Sequence, residues 1–490
     1  MTGILDLPPE LIVNIISLLD NKDVFNTRLG NKYIESSSLP YFGKRFFRKK
    51  GYLVTTPSLN VLKSIVNHDE LRKYVQHVWF NPDCYTFIEP ECAPDEEMND
   101  DGEVIERTDE LFEEDRVKYE AFTECIMDHG KLLSTPKLAE DLTDVFSKLP
   151  NLVAIGMRRS EDHSPWGWTK LKETIGEDPR VIGRIPAGPK YFLQAPTKLF
   201  VAIMYAVAEA NVELKRLYTD VVEIDNILPE DLPQDLLNRA CRSLLYLEFN
   251  AARAWLNQSP TGSYNTARDE SDWGEGLLRL VNAVPHLLEL GLQIFRDNPQ
   301  QERYSRTGPR DGHLTTYPYI AFEKLVRAGP ALSHLTRLKL EKLPLTPNTL
   351  RGFLEPSAHC LTSLKLRDIR LIPATNTEEP WYSIFTFLHS SCPKLSYLLL
   401  YHLMYDKGGI SFNAPSNAPA HPTTQDGAVT SYRREEKFVN YENIILEAKG
   451  REDVSEKLAG LVEKHSYQPP IFSYAMDETM WHTDTSDEEW

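Results

Sequence analysis

Near the start of the chain, apolar side chains recur at helical spacing. Leu7, Leu11, Ile15 and Leu18 fall on one stripe, with Ile12, Ile16 and Leu19 beside it. Pro8 and Pro9 suit a first helical turn, where a missing N–H costs nothing and φ is already near the helical value. Asp6 is a plausible cap ahead of them, and Glu10 favours the positive end of the helix dipole. Asp20-Asn21 breaks the run. Asp23 starts a second predicted helix through Val24, Phe25, Arg28 and Leu29, which Gly30-Asn31 ends, and a short third helix holds Tyr33 and Ile34 before Pro40. So broad an apolar face needs a cover, either the rest of the chain or a second protein.

Further along, a different period takes over. Seven segments read L-x-x-L-x-L or close to it: Leu149 to Met157, Leu214 to Tyr218, Cys241 to Phe249, Val284 to Leu292, Leu332 to Leu340, Cys360 to Leu366 and Cys392 to Leu400. The two-residue alternation of Leu338/Leu340, Leu364/Leu366 and Leu398/Leu400 predicts short strands with one buried face. Helical patterns stand between them, at Tyr319–Arg327 and Trp381–Leu388. Strand then helix at repeated spacing resembles a leucine-rich-repeat solenoid, with strands on a concave face and helices outside. The spacing is irregular: 26 residues from Leu340 to Leu366, 34 from Leu366 to Leu400 and 48 from Leu292 to Leu340, and the Asn or Cys usual after the strand is missing.

The N-terminal pattern resembles the F-box, a three-helix module. The residues that carry the resemblance are Leu7-Pro8-Pro9-Glu10-Leu11, Ile15, Leu18-Leu19, Asp23, Arg28-Leu29 and Lys32. The run Ser58–Leu62 followed by His68–Phe80, where a helix leads into Leu-Arg-Lys-Tyr-Val and a first strand, is similar to fungal F-box proteins. Gly30-Asn31 departs from the β-branched and small residues usual there. The resemblance implies an α/β chain in which an F-box precedes a degenerate leucine-rich-repeat-like region. It implies a non-catalytic substrate-recognition subunit of a Skp–cullin–F-box ubiquitin ligase, whose partners are a Skp-type adaptor, through it a cullin, and a protein substrate of unknown identity. The adaptor-binding residues it implies are Leu7, Pro8, Pro9, Leu11, Ile15, Leu18, Leu19, Val24 and Leu29; substrate-binding residues are unknown. The alternatives are a scaffold that binds the adaptor outside any ligase, and an uncharacterised enzyme in the α/β body.

These patterns divide the 490 residues into an F-box at 1–50, a connecting helix and first strand at 51–94, an acidic disordered insertion at 95–115, the repeat-like recognition domain at 116–405, a disordered loop at 406–431, and a cap with an acidic tail at 432–490. Like charges in 95–115 repel one another, although a helix takes over from Leu111. The final segment holds a predicted helix at Val454–Glu463.

Charge and composition narrow the function. A net charge of −18 argues against nucleic acid as a partner, because phosphates repel an acidic chain. The basic, aromatic run Lys44–Lys50 reads as a solvated helix face with Phe46 and Phe47 turned inward. No run of eighteen apolar residues is present, so neither a membrane span nor a membrane partner is expected, and the N-terminus lacks a secretory pattern. Six scattered cysteines (84, 92, 125, 241, 360 and 392) fit a reducing compartment, cytoplasmic or nuclear, with neither a disulfide framework nor a zinc site. No phosphate loop, G-x-G-x-x-G, H-E-x-x-H or G-x-S-x-G occurs, so no metal, cofactor or catalytic residue is expected. Asp128-His129 and Asp162-His163 read as neighbours rather than sites. Trp166-Gly167-Trp168 either lines a pocket or packs a loop onto the body.

Overall fold

The computed structural model describes residues 4–82, 97–98, 104–105, 109–158, 164–175, 189–252, 274–295, 322–326, 332–371, 380–405, 408–412, 445–463 and 466–468. The protein is mixed α/β with mostly parallel strands, and it divides into two compact units, residues 1–187 with 202–214 and residues 188–201 with 215–490.

The first unit begins with three helices, α1 (Pro9–Ser17), α2 (Asn21–Gly30) and α3 (Lys32–Phe47). The third is longer than expected and runs through Pro40. Proline forfeits one backbone bond there, but Phe42, Phe46 and Phe47 beyond it all pack on the module's interior, and that burial outweighs the loss. The chain passes into strand β1 (Lys49–Leu53), helix α4 (Thr56–Val66), the turn Leu71–Tyr74 and strand β2 (His77–Asn81). The basic run therefore straddles a helix end and a strand start instead of lying on one helix face, and β2 is the second strand, not the first. Helices α5 (Asp109–Ser134) and α6 (Lys137–Ser147) lead to β3 (Ala154–Met157), followed by α7 (Trp168–Ile175). The three strands are parallel in the order β1-β2-β3, with Gly51 beside Trp79 and Trp79 beside Gly156. Of the segment expected to be a disordered acidic insertion, the described part is a short antiparallel pair, Glu97–Met98 with Val104–Ile105, and the helix that starts at Asp109.

The second unit is a row of parallel strands, each reached through a helix where the connection is described. Its strands are β4 (Arg216–Val222), β5 (Tyr246–Ala252), β6 (Glu289–Phe295), β7 (Arg337–Glu341), β8 (Ser363–Arg367) and β9 (Tyr397–Tyr401), adjacent in that order. The L-x-x-L-x-L segments in this unit all fall on strands. Their leucines meet in register: Leu290, Leu338, Leu364 and Leu398 form one line, Leu292, Leu340, Leu366 and Leu400 the next, all nearly or fully buried. Helices α8 (Gln234–Cys241), α9 (Glu275–Asn282), α10 (Pro347–Leu354) and α11 (Pro380–Ser391) cover this face. Trp381 of α11 is fully buried, its indole N–H donating to Met404 O at 2.8 Å.

After β7, β8 and β9 the chain makes the same turn. Lys342, Asp368 and His402 stand at φ of 57°, 54° and 49°, each one residue past its strand. The turns stack, since Lys342 N–H donates to Arg367 O at 2.9 Å and Asp368 N–H to Tyr401 O at 3.0 Å. Next come Leu343, Ile369 and Leu403, all fully buried, then two-residue strands that form a second small sheet. Gly408–Ser411 joins that sheet, so this part of the expected disordered loop is ordered; residues 413–431 lie outside the described residues. The cap segment contributes β10 (Ile445–Lys449), antiparallel to β9, and helix α12 (Arg451–Glu463), which begins three residues before its expected start. The acidic tail 469–490 lies outside the described residues.

The Asp128–His129 pair divides its tasks. The Asp128 carboxylate accepts from Thr56 N–H at 2.5 Å and Thr56 Oγ at 2.6 Å, holding the first turn of α4. His129 is buried, with Nδ1 3.0 Å from the Val54 carbonyl, which fixes the proton on that nitrogen. Burial holds this imidazole below its ordinary value of 6.5, against the pull of the Val54 carbonyl and Asp128. Asp162 and His163 lie outside the described residues.

Two outcomes follow. Below pH 6.5 the unfolded chain takes up a proton at residue 129 that the folded protein resists, so stability is intact above that pH and declines below it. Urea unfolding of the wild type and of His129→Gln at about pH 7.5 and 5.5 should show the variant losing less on acidification. At Asp368, Gly and Val both remove the 2.6 Å contact to His402, but only Val strains the left-handed turn; Val should unfold about 1–2 kcal/mol more easily than Gly.

Candidate functional site

The three N-terminal helices enclose a small core of their own. Ile12 and Ile16 on α1, Val24 on α2, and Ile34 and Phe42 on α3 are buried together, and Leu7, Leu19, Tyr41, Phe46 and Phe47 pack partly against them. Each buried aliphatic or aromatic side chain contributes about 1.5–3 kcal/mol, enough in sum to order helices as short as α1 and α2.

Polar contacts fix the angles between the helices. Asp20 caps α2 by accepting from Asp23 N–H at 2.8 Å, so the cap stands three residues before the expected start at Asp23. Asn31 caps α3 by accepting from Tyr33 N–H at 2.7 Å. Asp6 lies in a short turn and α1 has no side-chain cap, its first turn resting on Pro8 and Pro9. Arg45 on α3 reaches the junction of α1 and α2, donating to Leu19 O at 3.2 Å and to Asn21 Oδ1 at 2.8 Å. Tyr33 OH donates to Leu7 O at 3.0 Å and pins the approach to α1. Arg28 lies 3.6 Å over the Phe42 ring, and burial lowers its pKa. Gly43 is where α3 meets the Leu71–Tyr74 turn: a Cβ there would stand 2.1 Å from the Tyr74 ring.

This packing uses one face of α1. The adjacent face carries Leu11, Ile15 and Leu18, one helical stripe, at 46%, 38% and 87% exposure. Leu29 on α2 is also 87% exposed, and Ile4, Leu5 and Phe25 are close to half exposed. Of the nine residues singled out from the sequence, Pro8, Pro9, Leu11, Ile15, Leu18 and Leu29 are exposed, and Leu7 and Leu19 are half-buried against the core. Val24 corrects the expectation: at 0% exposure it fills the module's interior and offers nothing to a partner. The sequence did not single out Phe25, whose ring packs edge-on against Phe42 at 5.4 Å while its outer side stays open. An i, i+4 relation to Leu29 is the signal that places both on one side of α2.

A second surface lies on the solvent side of the row of strands, opposite the leucine lines. It is charged and internally paired. Lys339 bridges Glu248 at 3.4 Å and Glu341 at 3.3 Å, and Arg337 pairs with Glu289 at 2.7 Å. Lys365 sits over Tyr397 and Arg367 over Tyr401, at 5.5 and 5.0 Å. Burial pulls the nearby Lys342 ammonium down to about 8. Sequence alternation implied this face but could not say which charges pair across it. Among the described residues no group of three His, Cys, Asp or Glu is arranged to hold a metal.

No family model matches this chain, and no curated protein matches its sequence.

The two faces of α1 should respond oppositely to substitution. Ile16→Ala empties a fully packed position and should cost about 2–5 kcal/mol, seen as early loss of the module in hydrogen exchange. Leu18→Glu exchanges one solvated side chain for another and should leave stability within about 0.5 kcal/mol.

Proposed function

We propose that the chain is the substrate-recognition subunit of a Skp–cullin–F-box ubiquitin ligase, docking on a Skp-type adaptor through its N-terminal helices and performing no chemistry itself. The observation that carries this reading is the split of α1 into two apolar faces. Ile12 and Ile16 account for the module's own stability, so Leu11, Ile15 and Leu18 are not needed to hold it together. Three large aliphatic side chains on one exposed stripe cost solubility unless a partner covers them, and the groove that suits such a stripe is that of another helical protein. The Leu-Pro-Pro-Glu-Leu start of the helix adds the resemblance already described.

In this reading the docking residues are Leu11, Ile15 and Leu18, with Pro8, Pro9 and Leu29 at the margin. Leu7 and Leu19 support the helix from within. The second unit is read as an irregular leucine-rich-repeat-like array that presents the substrate, with its charged strand face toward the target. Lys339, Glu341, Lys365 and Arg367 are held there by neighbours on their own and nearby strands, so a partner meets a surface already ordered.

Co-expression with a Skp-type adaptor should yield an equimolar complex that survives gel filtration. Leu11→Glu with Ile15→Glu should abolish it, because each would bury an unpaired carboxylate in the contact. Leu18→Glu alone should weaken it by about tenfold or more. The folded double variant still binding the adaptor would end this reading.

A further inference from the structure

In the first unit a cleft of about 700 Å³ opens beside β1. Its floor is Gly51 against Trp79, neighbours in register on β1 and β2. The indole lies so flat over Gly51 that a Cβ there would stand 2.1 Å from the ring. The wall is the loop before α7. Trp166 N–H donates to Gly51 O at 2.8 Å, and the Trp166 carbonyl accepts from Ser58 Oγ at 2.8 Å and Leu53 N–H at 3.3 Å. Gly167, at φ +95°, then turns the chain into α7. The two tryptophans of this loop take the two roles the sequence left open. Trp168 is buried against Leu53 and fastens the loop, whereas the Trp166 ring is 42% exposed at the cleft.

Charge at the cleft runs against that of the chain. Lys49, Lys50 and Lys170 line it with Glu173 as the one carboxylate among the lining residues. Neither Lys50 nor Lys170 has an ion-pair partner among the described residues. Lys50 is half-buried with its ammonium 5.4 Å from the Trp166 ring, and that burial lowers its pKa. A desolvated ammonium without a counter-charge is a standing cost that an incoming carboxylate removes.

We propose that this cleft binds an acidic peptide segment, with carboxylates at Lys50 and Lys170 and an apolar side chain against Trp166. A peptide fits better than a nucleic acid for two reasons. Among the described residues β1 is the outer strand of its sheet, and Trp166 already bonds to it in the manner of a strand, at Gly51 O and Leu53 N–H, so a peptide backbone can extend the line that Trp166 begins. Three lysines beside Glu173 can meet the two carboxylates of a short segment but not the run of phosphate contacts that holds a nucleic acid. That the segment belongs to a ubiquitination substrate rests on the receptor reading; the cleft chemistry does not.

The test is fluorescence anisotropy of a labelled glutamate-rich peptide with a central leucine, titrated with the full chain. Wild type should bind it in preference to a lysine-rich peptide of equal length. Lys170→Glu and Trp166→Ala, both changes at exposed side chains, should each weaken binding by about tenfold. Lys50→Glu combined with Lys170→Glu should switch preference to the lysine-rich peptide, whereas Lys→Glu changes at two lysines that do not line the cleft, Lys22 and Lys63, should leave the preference for the glutamate-rich peptide in place. Unchanged binding in Lys170→Glu and Trp166→Ala, or tighter binding of an oligonucleotide of equal charge, would overturn the proposal. Adaptor capture with the same variants separates the two readings. Peptide binding without adaptor binding leaves the cleft and removes the ligase, and the reverse leaves the ligase and removes the cleft.

Discussion

The second unit depends on leucines stacked in register across parallel strands. Leu338, Leu364 and Leu398, and two residues on Leu340, Leu366 and Leu400, are almost wholly shut off from water. Because the side-chain period of a strand is two, a slip by one residue would turn every one of them to solvent and bring Lys339 and Lys365 inside. At about 1.5–3 kcal/mol per leucine the penalty for such a slip is prohibitive. The same constraint fixes the left-handed turns: a strand ending at the same depth each time must hand the chain over at the same point, which Lys342, Asp368 and His402 do.

The N-terminal module obeys a related rule with a different period. Three short helices cannot bury every apolar residue they carry, since a helix has one inward stripe and the apolar arc of α1 is wider than that stripe, leaving only Glu10, Asn14 and Ser17 as its polar side. Ile12 and Ile16 take the interior, and Leu11, Ile15 and Leu18 are left over. Arg45, spanning from α3 to the junction of α1 and α2, and Arg28, lying on Phe42, lock the helices so that the surplus face cannot rotate inward.

Much of this was legible in the residues. The i, i+4, i+7 spacing of α1 and the paired leucines of β7, β8 and β9 placed helix and strands, because both signals come from burial on one face and the pattern records it directly. What escaped depends on contacts far apart in sequence. Pro40 looked like a terminator because local propensity says so, and the aromatic packing of α3 overrides it. Val24 looked like part of the docking face because spacing alone cannot tell which side of a short helix its neighbours occupy. Strand β1 was hidden in a basic run, since Lys49 and Lys50 lie on the sheet's outer edge where charge is tolerated. The cleft beside it draws on Gly51, Trp79 and Trp166, and no sequence period links those three.

The last strand of the array runs the other way. Ile445–Lys449 pairs antiparallel with Tyr397–Tyr401, and its solvent-side residues include Glu447 and Lys449, bridged at 2.9 Å. A row of parallel strands invites endless addition, each new edge matching the next copy. Reversing the final strand and salting it with charge presents newcomers with the wrong polarity. The row is thereby terminated from within, and its length is set by the chain itself rather than by whatever neighbour happens to meet it.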